Sequence, residues 1–323
     1  MPSPATGPDA AALSIVRLET LEPRRWPKPA VTVGNFDGVH RGHQALVSAT
    51  REAAQRLEGT AVVLTFDPHP SHVLSPHRAP EALLTVEQKA EILASLGIEQ
   101  LAVLPFTRAL ADKDARTFAR EVLHDCLGAR SVIVGQGFRF GRHREGDAAR
   151  LLELGGELDF TVQAVAPVLH DGTPISSTRI REALARGEID AANDLLGRRC
   201  FVDGRVRKGE GRGRTLGFPT ANLELLNEAV PGGGVYACWA RRTDETTRRP
   251  AVVNVGRRPT FGGGGDLIVE VHLLDYAADL YGSVLRVEFA LKLRDERAFP
   301  SIDALKAQIG ADADEARRVL RQK

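Results

Sequence analysis

Up to about residue 196 the chain alternates two hydrophobic periods. Short, largely β-branched runs at residues 30–33, 61–66, 101–104, 132–134 and 160–165 read as strands covered on both faces. Between them, apolar positions recur every three or four residues over 42–57, 86–96, 115–127 and 148–154, the spacing of amphipathic helices. Thr85 and Gln88 form a capping-box pair at the start of the second of these helices. Such alternation predicts a parallel sheet wound by right-handed crossovers. Two further helices, over 178–186 and 190–196, close this half.

After Gly197 the pattern changes. Segments near 200–206, 235–240, 251–255, 267–274 and 284–293 read as strands with no helix between them. In the last, Leu285, Val287, Phe289, Leu291 and Leu293 share one face, and Arg286, Glu288, Lys292 and Arg294 the other. That period of two predicts a half-buried antiparallel strand. Glycine-rich turns at 231–234 and 262–265 punctuate the run, and helices over 301–309 and 313–320 follow Pro300. The expected fold is therefore α/β, then mainly β: a parallel sheet over residues 14–197 and a small antiparallel barrel with terminal helices over 198–323, preceded by a frayed tail at 1–13.

The strongest chemical signal is V-T-V-G-N-F-D-G-V-H-R-G-H, residues 31–43. A short strand runs into Gly34, Asn35, Asp37 and Gly38, residues that tolerate tight or left-handed backbone, and a helical pattern then begins. Strand, turn and helix N-terminus in that order form a phosphate site, since free N–H groups and the helix dipole converge there. His40 and His43 are three apart, on one face of the first turn, where they can donate hydrogen bonds to phosphate oxygens. Further on, Thr65-Phe66-Asp67-Pro68-His69-Pro70 sits at the carboxyl edge of its strand. His69 and His72, set among prolines with no nearby acid, read as loop residues rather than metal ligands. The glycines of residues 134–141, V-G-Q-G-F-R-F-G, do not fit the dinucleotide fingerprint. Ser176, Ser177, Thr178 and Arg181 open a helix; they suit a phosphate there, and equally a plain N-cap with surface arginines.

In the second half, residues 209–222 read G-E-G-R-G-R-T-L-G-F-P-T-A-N. Gly209, Gly211 and Gly217 let backbone approach a phosphate, while Arg212 and Arg214 add charge, although a Gly/Arg-rich loop taken alone is more often a solvated hairpin; no Gly-Lys-Ser/Thr follows, so this is not a Walker loop. Thr220 and Asn222 fall on one side of an extended segment and offer hard oxygen ligands suited to magnesium with a nucleotide. Glu270 lies opposite the apolar face of Leu267, Val269, Val271 and Leu273, where a carboxylate can take a proton from a hydroxyl or simply face solvent.

Composition narrows the partners. With 43% hydrophobic and 26% charged residues and a formal net charge of +1, the chain carries no basic field for nucleic acid. Cys126, Cys200 and Cys238 are odd in number and widely spaced, which argues against disulfides and structural zinc. The N-terminus has no apolar core of a signal peptide and no run is long enough to span a bilayer, so the expected location is the cytoplasm. Oligomeric state, a homo-oligomer included, is left open.

The motifs together resemble two families. G-N-F-D-G-V-H-R-G-H, F-x-P-H-P, V-G-x-x-F-R-F-G and I-S-S-T-x-I-R occur in the order seen in bacterial FAD synthetases of the nucleotidyltransferase superfamily. G-R-T-L-G-F-P-T-A-N, N-V-G-R-R-P-T-F and V-E-V-H-L-L-D resemble successive riboflavin kinase motifs. The resemblance implies a Rossmann-like adenylyltransferase half and a kinase barrel, acting on riboflavin, FMN and ATP with Mg2+ and without a tightly bound cofactor. It implies that His40 and His43 meet the ATP phosphates, with Gly34, Asn35 and Asp37 around the nucleotide and Ser177, Thr178 and Arg181 on the departing pyrophosphate. Flavin is expected beside Phe138, Arg139 and Phe140 in the first half and Arg258 in the second. Gly209, Gly211, Arg214 and Gly217 would hold ATP, Thr220 and Asn222 the metal, and Glu270 would be the general base. Gly137 departs from the family, which usually has Asn or Asp there. The rival readings are a kinase whose first half has decayed and a flavin carrier.

Overall fold

The computed structural model describes residues 13–24, 26–209, 213, 217–258, 266–276 and 278–322, of which the side chains at 258 and 266 are excepted. Gly211, Arg212 and Arg214, and the side chain of Arg258, therefore lie outside the described residues. By contact density the chain divides into two units, Met1–Ile175 and Ser176–Lys323.

The first unit is a six-stranded parallel sheet in the order β1-β4-β3-β2-β5-β8. Its strands are β1 (Ser14–Arg17), β2 (Ala30–Val33), β3 (Ala61–Asp67), β4 (Gln100–Pro105), β5 (Ser131–Gly135) and β8 (Thr161–Val165). All four residues of β2 are buried, between β3 on one side and β5 on the other, so the strand entering the H-x-G-H turn is central. Edge strand β1 escaped the pattern analysis because it is short and mostly exposed, with no apolar run to mark it. Helix α1 (Arg41–Leu57) follows the turn, and α3 (Val86–Ser95) starts on the expected reciprocal box between Thr85 and Gln88. The helix expected over 115–127 is present, but as a short α-helical turn, Ala115–Phe118, that continues with π-helical pairing over Ala119–Cys126. Val31, Val33, Val62, Leu64, Ala102 and Val132 form the sheet's share of a core completed by Phe118, Leu123, Leu151 and Phe160.

The second unit begins earlier than the change of pattern at Gly197 suggests. Helices α7 (Ser177–Ala185) and α8 (Ile189–Leu196) pack with the barrel. The amide of Gly232 donates to Leu184 O at 2.8 Å. Asn193 donates through Nδ2 to Phe289 O at 3.1 Å and accepts from the Cys200 amide at 2.6 Å. Strand–helix grammar cannot register such contacts, since it reads local period and not tertiary partners. A fragment of residues 176–323 should accordingly be soluble and folded. One beginning at 198 loses the burial of Ile189, Leu195 and Leu196, each worth roughly 1.5–3 kcal/mol. It should melt lower or aggregate; equal thermal stability of the two fragments would show that the helices add nothing to the barrel.

The barrel is closed, in the order β11-β12-β15-β14-β13-β16. The strands are β11 (Phe201–Arg207), β12 (Ala221–Leu225), β13 (Gly234–Arg242), β14 (Arg249–Arg258), β15 (Asp266–Leu273) and β16 (Val284–Arg294). Strand β12 begins where the glycine- and arginine-rich stretch ends, and its five residues carry too short a pattern to announce a strand. In β16 Leu285, Val287 and Phe289 are buried on one face as expected, but register shifts against β13 break the period of two, so that Leu291 and Leu293 pack with Ala290, Ala313 and Ala316 instead; Arg286 and Glu288 are also buried. Arg286 forms a two-pronged pair with Asp203, both bonds 2.8 Å, with its guanidinium 4.0 Å from the Phe201 ring centroid. The two C-terminal helices expected are one, Ile302–Leu320. Its interior Gly310-Ala311-Asp312 is a weak helical stretch by propensity. It is held because Asp312 accepts from Arg294 Nη2 at 2.8 Å and Nε at 3.1 Å.

Candidate active sites

The turn after β2 is an unusual piece of backbone. Phe36, Gly38 and Val39 have φ of 47°, 83° and 41°, the left-handed region that a β-branched residue such as Val39 avoids. The strain, of order 1–3 kcal/mol per such residue, is offset by complete burial of the Phe36 and Val39 side chains. The turn delivers His40 to the N-cap of α1 with extended backbone, φ −71° and ψ 171°. Its Nδ1 accepts from the His43 amide at 3.3 Å, so a neutral His40 carries its proton on Nε2. The two imidazoles stack, centroids 3.6 Å apart and planes 15° apart, and Phe36 tilts against His43 at 5.1 Å.

His43 Nδ1 is buried without a hydrogen-bond partner among the described residues. Such a group costs about 1–3 kcal/mol and is characteristic of a site that a ligand completes. Burial, then the neighbouring His40 and then Lys89, hold the His43 pKa well below its ordinary 6.5. Gly42 explains the glycine of the motif: a Cβ there would lie 3.1 Å from both Cε1 and Nδ1 of His40. Gly42→Ala should therefore keep or raise thermal stability, as Ala favours helix over Gly by about 1 kcal/mol, while displacing the imidazole it crowds. A reaction that depends on the His40 ring should slow about tenfold, and unchanged turnover would mean that the ring has room to move.

The other first-half residues separate into scaffold and site. Asp37 was expected around the nucleotide, but it is buried and its carboxylate accepts from the amides of Leu83 (3.0 and 3.2 Å) and Leu84 (3.3 Å). It ties the turn to the start of α3. The Asn35 side-chain amide meets His69 Nε2 at 2.9 Å, while the Asn35 backbone carbonyl accepts from Thr65 Oγ1 and Lys89 Nζ, both at 3.1 Å. Gly34 continues the sheet, its amide donating to Leu64 O at 3.1 Å. His69 caps a short helix (Pro70–Leu74) by accepting the Ser71 amide at Nδ1, and its ring stands 6.4 Å from that of His72. Among the described residues no three of His, Cys, Asp and Glu gather as metal ligands. Phe138 and Phe140 stack at 5.4 Å, Phe140 buried and Phe138 half-buried, and exposed Arg139 pairs with Asp147 at 3.1 Å. A Cβ at Gly137 would meet nothing within 4 Å, so the position has room for the Asn or Asp expected there. Ser177, Thr178 and Arg181 lie in the first turn and a half of α7, which Ser176 caps by accepting the Arg179 amide at 3.3 Å. They belong to the second unit.

In the barrel, sequence-distant residues meet in one rung. Asn222 of β12 pairs with Glu270 of β15, and Glu270 with Asn254 of β14. Directly opposed residues share a face, so a carboxylate stands between two carboxamides. Asn254 was not singled out by the sequence; the register of β14 against β15 identifies it. Glu270 is half-buried and lines a cavity of about 460 Å³ with Thr220, Phe218, Asn254, His272 and Phe299. Of the two readings of Glu270, a proton acceptor or a plain solvent-facing residue, the second loses ground, because the C-terminal helix, through Leu305 and Ile309, walls that face of the sheet. His272 Nδ1 lies 2.9 Å from Pro219 O, as a donor, and fixes Thr220 relative to β15. Gly209 approaches Asn222 so closely that a Cβ would lie 2.2 Å from its Nδ2. Gly217, with φ 89°, makes the exposed bend before Phe218. Thr220, Asn222 and Glu270 present hard oxygen donors, the kind Mg2+ accepts.

A parallel sheet whose central strand runs into a turn bearing two stacked imidazoles, followed by a barrel holding a carboxylate among oxygen donors, matches in both halves families of two-domain phosphoryl- and nucleotidyl-transferases. Residues 22–179 match the FAD synthetase family and residues 196–320 the riboflavin kinase family. The chain belongs to the bifunctional riboflavin kinase/FMN adenylyltransferase family. It is 42% identical to the protein of that name from Pseudomonas fluorescens over 286 residues, covering 88% of this chain and 91% of the relative. It is 39% identical to that from Escherichia coli strain K12 over 287 residues, 89% and 91% of the two chains. A crystal structure from Streptococcus pneumoniae, described as a macrolide-efflux protein, superposes with a TM-score of 0.85 at 32% identity, covering 94% of this chain and 98% of that one. No helix among the described residues is long and apolar enough to cross a membrane.

Proposed function

We propose that the chain makes both flavin cofactors: FMN from riboflavin and ATP in the barrel domain, and FAD from FMN and ATP in the parallel-sheet domain, in the cytoplasm. The observation that carries the proposal is that each domain has its own reactive constellation, the stacked His40–His43 pair in one and Glu270 between Asn222 and Asn254 in the other.

In the kinase step, the 5′-hydroxyl of riboflavin attacks the γ-phosphorus of ATP and Glu270 takes its proton as ADP leaves. Thr220 and Asn222 would hold Mg2+ with ATP, which neutralises phosphate charge. Gly209, Gly211, Arg214 and Gly217 are assigned to ATP and Arg258 to the flavin. In the second step, an FMN phosphate oxygen attacks the α-phosphorus of ATP in line and pyrophosphate leaves. His40 and His43 donate hydrogen bonds to oxygens whose charge grows in the transition state. Ser177, Thr178 and Arg181 hold the departing pyrophosphate, Asn35 orients the nucleotide, and Phe138, Arg139 and Phe140 contact the flavin. Asp37 also shapes the turn, its carboxylate accepting from the Leu83 and Leu84 amides.

Product analysis after incubation with riboflavin, ATP and Mg2+ tests this directly. FAD is expected. FMN alone would mean a decayed first domain, with Gly137 the first suspect, and unchanged riboflavin would mean a carrier.

A further inference from the structure

Lys89, in the second turn of α3, is 6% exposed, and a buried lysine needs a reason. Its ammonium donates to the carbonyl of Asn35, inside the strained turn, at 3.1 Å. The same turn reaches back through Asp37 to the Leu83 and Leu84 amides, immediately before the Thr85 cap of α3. Turn and helix thus clasp each other at two points, one through a carboxylate and one through an ammonium. Neither contact uses a residue of the H-x-G-H motif.

We infer that Lys89 is a positioning residue for adenylyl transfer: by pinning the Asn35 carbonyl it fixes the turn that carries His40 and His43. This rests on the adenylyl-transfer reading of the turn. The carboxylates acting on Lys89 are Asp37 and Asp67; burial, the larger influence, nonetheless lowers its pKa from 10.5. Asp67 is itself engaged by Arg17 at 3.2 Å, on the exposed side. The charged groups acting on His43 are His40 and Lys89, and both disfavour its protonation. Lys89 therefore helps keep His43 a neutral imidazole, stacked at 3.6 Å on the His40 ring. A backbone carbonyl is an economical anchor for this purpose, because it leaves the Asn35 side chain to His69.

The test uses the full-length chain with Lys89→Met, Lys89→Gln and Lys89→Arg. In Lys89→Met the kcat for FAD formation from FMN should fall roughly ten- to a hundredfold, the range for catalytic groups displaced by about 1 Å. Riboflavin phosphorylation by the same chain should stay within about twofold, as that chemistry is assigned to the barrel. Titration of the His43 ring by NMR, in protein without substrates, should move upward in Lys89→Met and Lys89→Gln and stay low in Lys89→Arg, which keeps the charge. Lys89→Gln keeps a donor for the Asn35 carbonyl, so it also serves if Lys89→Met does not fold. Unchanged FAD formation with an unchanged His43 titration in either neutral variant would overturn the inference. Parallel loss of both activities with a lower melting temperature would do so too, leaving Lys89 a packing residue. If wild type makes no FAD, the adenylyl-transfer reading fails, whereas the His43 titration still decides whether Lys89 sets that ring's charge.

Discussion

Glu270→Gln should abolish most riboflavin phosphorylation while leaving FAD formation from supplied FMN intact. The amide preserves size and much of the hydrogen bonding in the rung between Asn222 and Asn254, but it cannot take a proton. The expected loss is that of a general base, roughly a hundred- to ten-thousandfold in kcat. ATP binding should change little, since the contacts proposed for phosphate and metal lie at Thr220, Asn222 and the glycine loop. Glu270 is half-buried in the cavity wall, so an isosteric change should cost no more than about 1 kcal/mol of stability. Kinase turnover that survives in this variant would remove Glu270 from the mechanism and leave it a wall of the cavity. Loss of both activities together would instead mean that the barrel's integrity controls the whole chain.

What the sequence revealed follows the range of the interactions involved. The H-x-G-H turn is local: strand, glycine-bearing turn and helix N-terminus are consecutive, so its elements and the proximity of His40 and His43 could be read directly. The structural contacts of Asp37 were hidden for the opposite reason. Its partners Leu83 and Leu84 lie 46 and 47 positions away, and nothing in G-N-F-D-G announces a carboxylate turned inward. Lys89 was missed on the same ground, its carbonyl partner being 54 positions distant, within what read as an ordinary amphipathic helix. In the barrel, the period of two placed Glu270 opposite the apolar face correctly. It could not show that the C-terminal helix roofs that face, nor that Asn254 stands beside Glu270, since register between strands is a tertiary fact. Arg286 and Asp203, 83 positions apart, show the same limit: a charged face read as solvated is buried because it is paired.

His43→Ala should reverse the pattern of Glu270→Gln. Removing the imidazole deletes a donor to the transferring phosphates, and FAD formation should fall on the order of a hundredfold or more while FMN formation stays near wild type. The pH dependence gives a second, independent reading. His43 is depressed below its ordinary 6.5, first by burial and then by His40 and Lys89, so it stays neutral in the folded chain as the medium turns mildly acidic. The unfolded chain binds that proton first, which means stability rises with pH between the folded pKa and 6.5 and is lost as pH falls through that window. His43→Ala removes this linkage, so the melting temperature should fall less steeply on acidification below 6.5 than in wild type. The variant also relieves a buried Nδ1 without a partner, and at neutral pH its stability should change little despite the lost packing on Phe36 and His40. A variant that loses FAD formation and keeps this stability profile identifies the ring as part of the chemistry. One that loses both activities, and melts early at every pH, identifies it as a support for the turn.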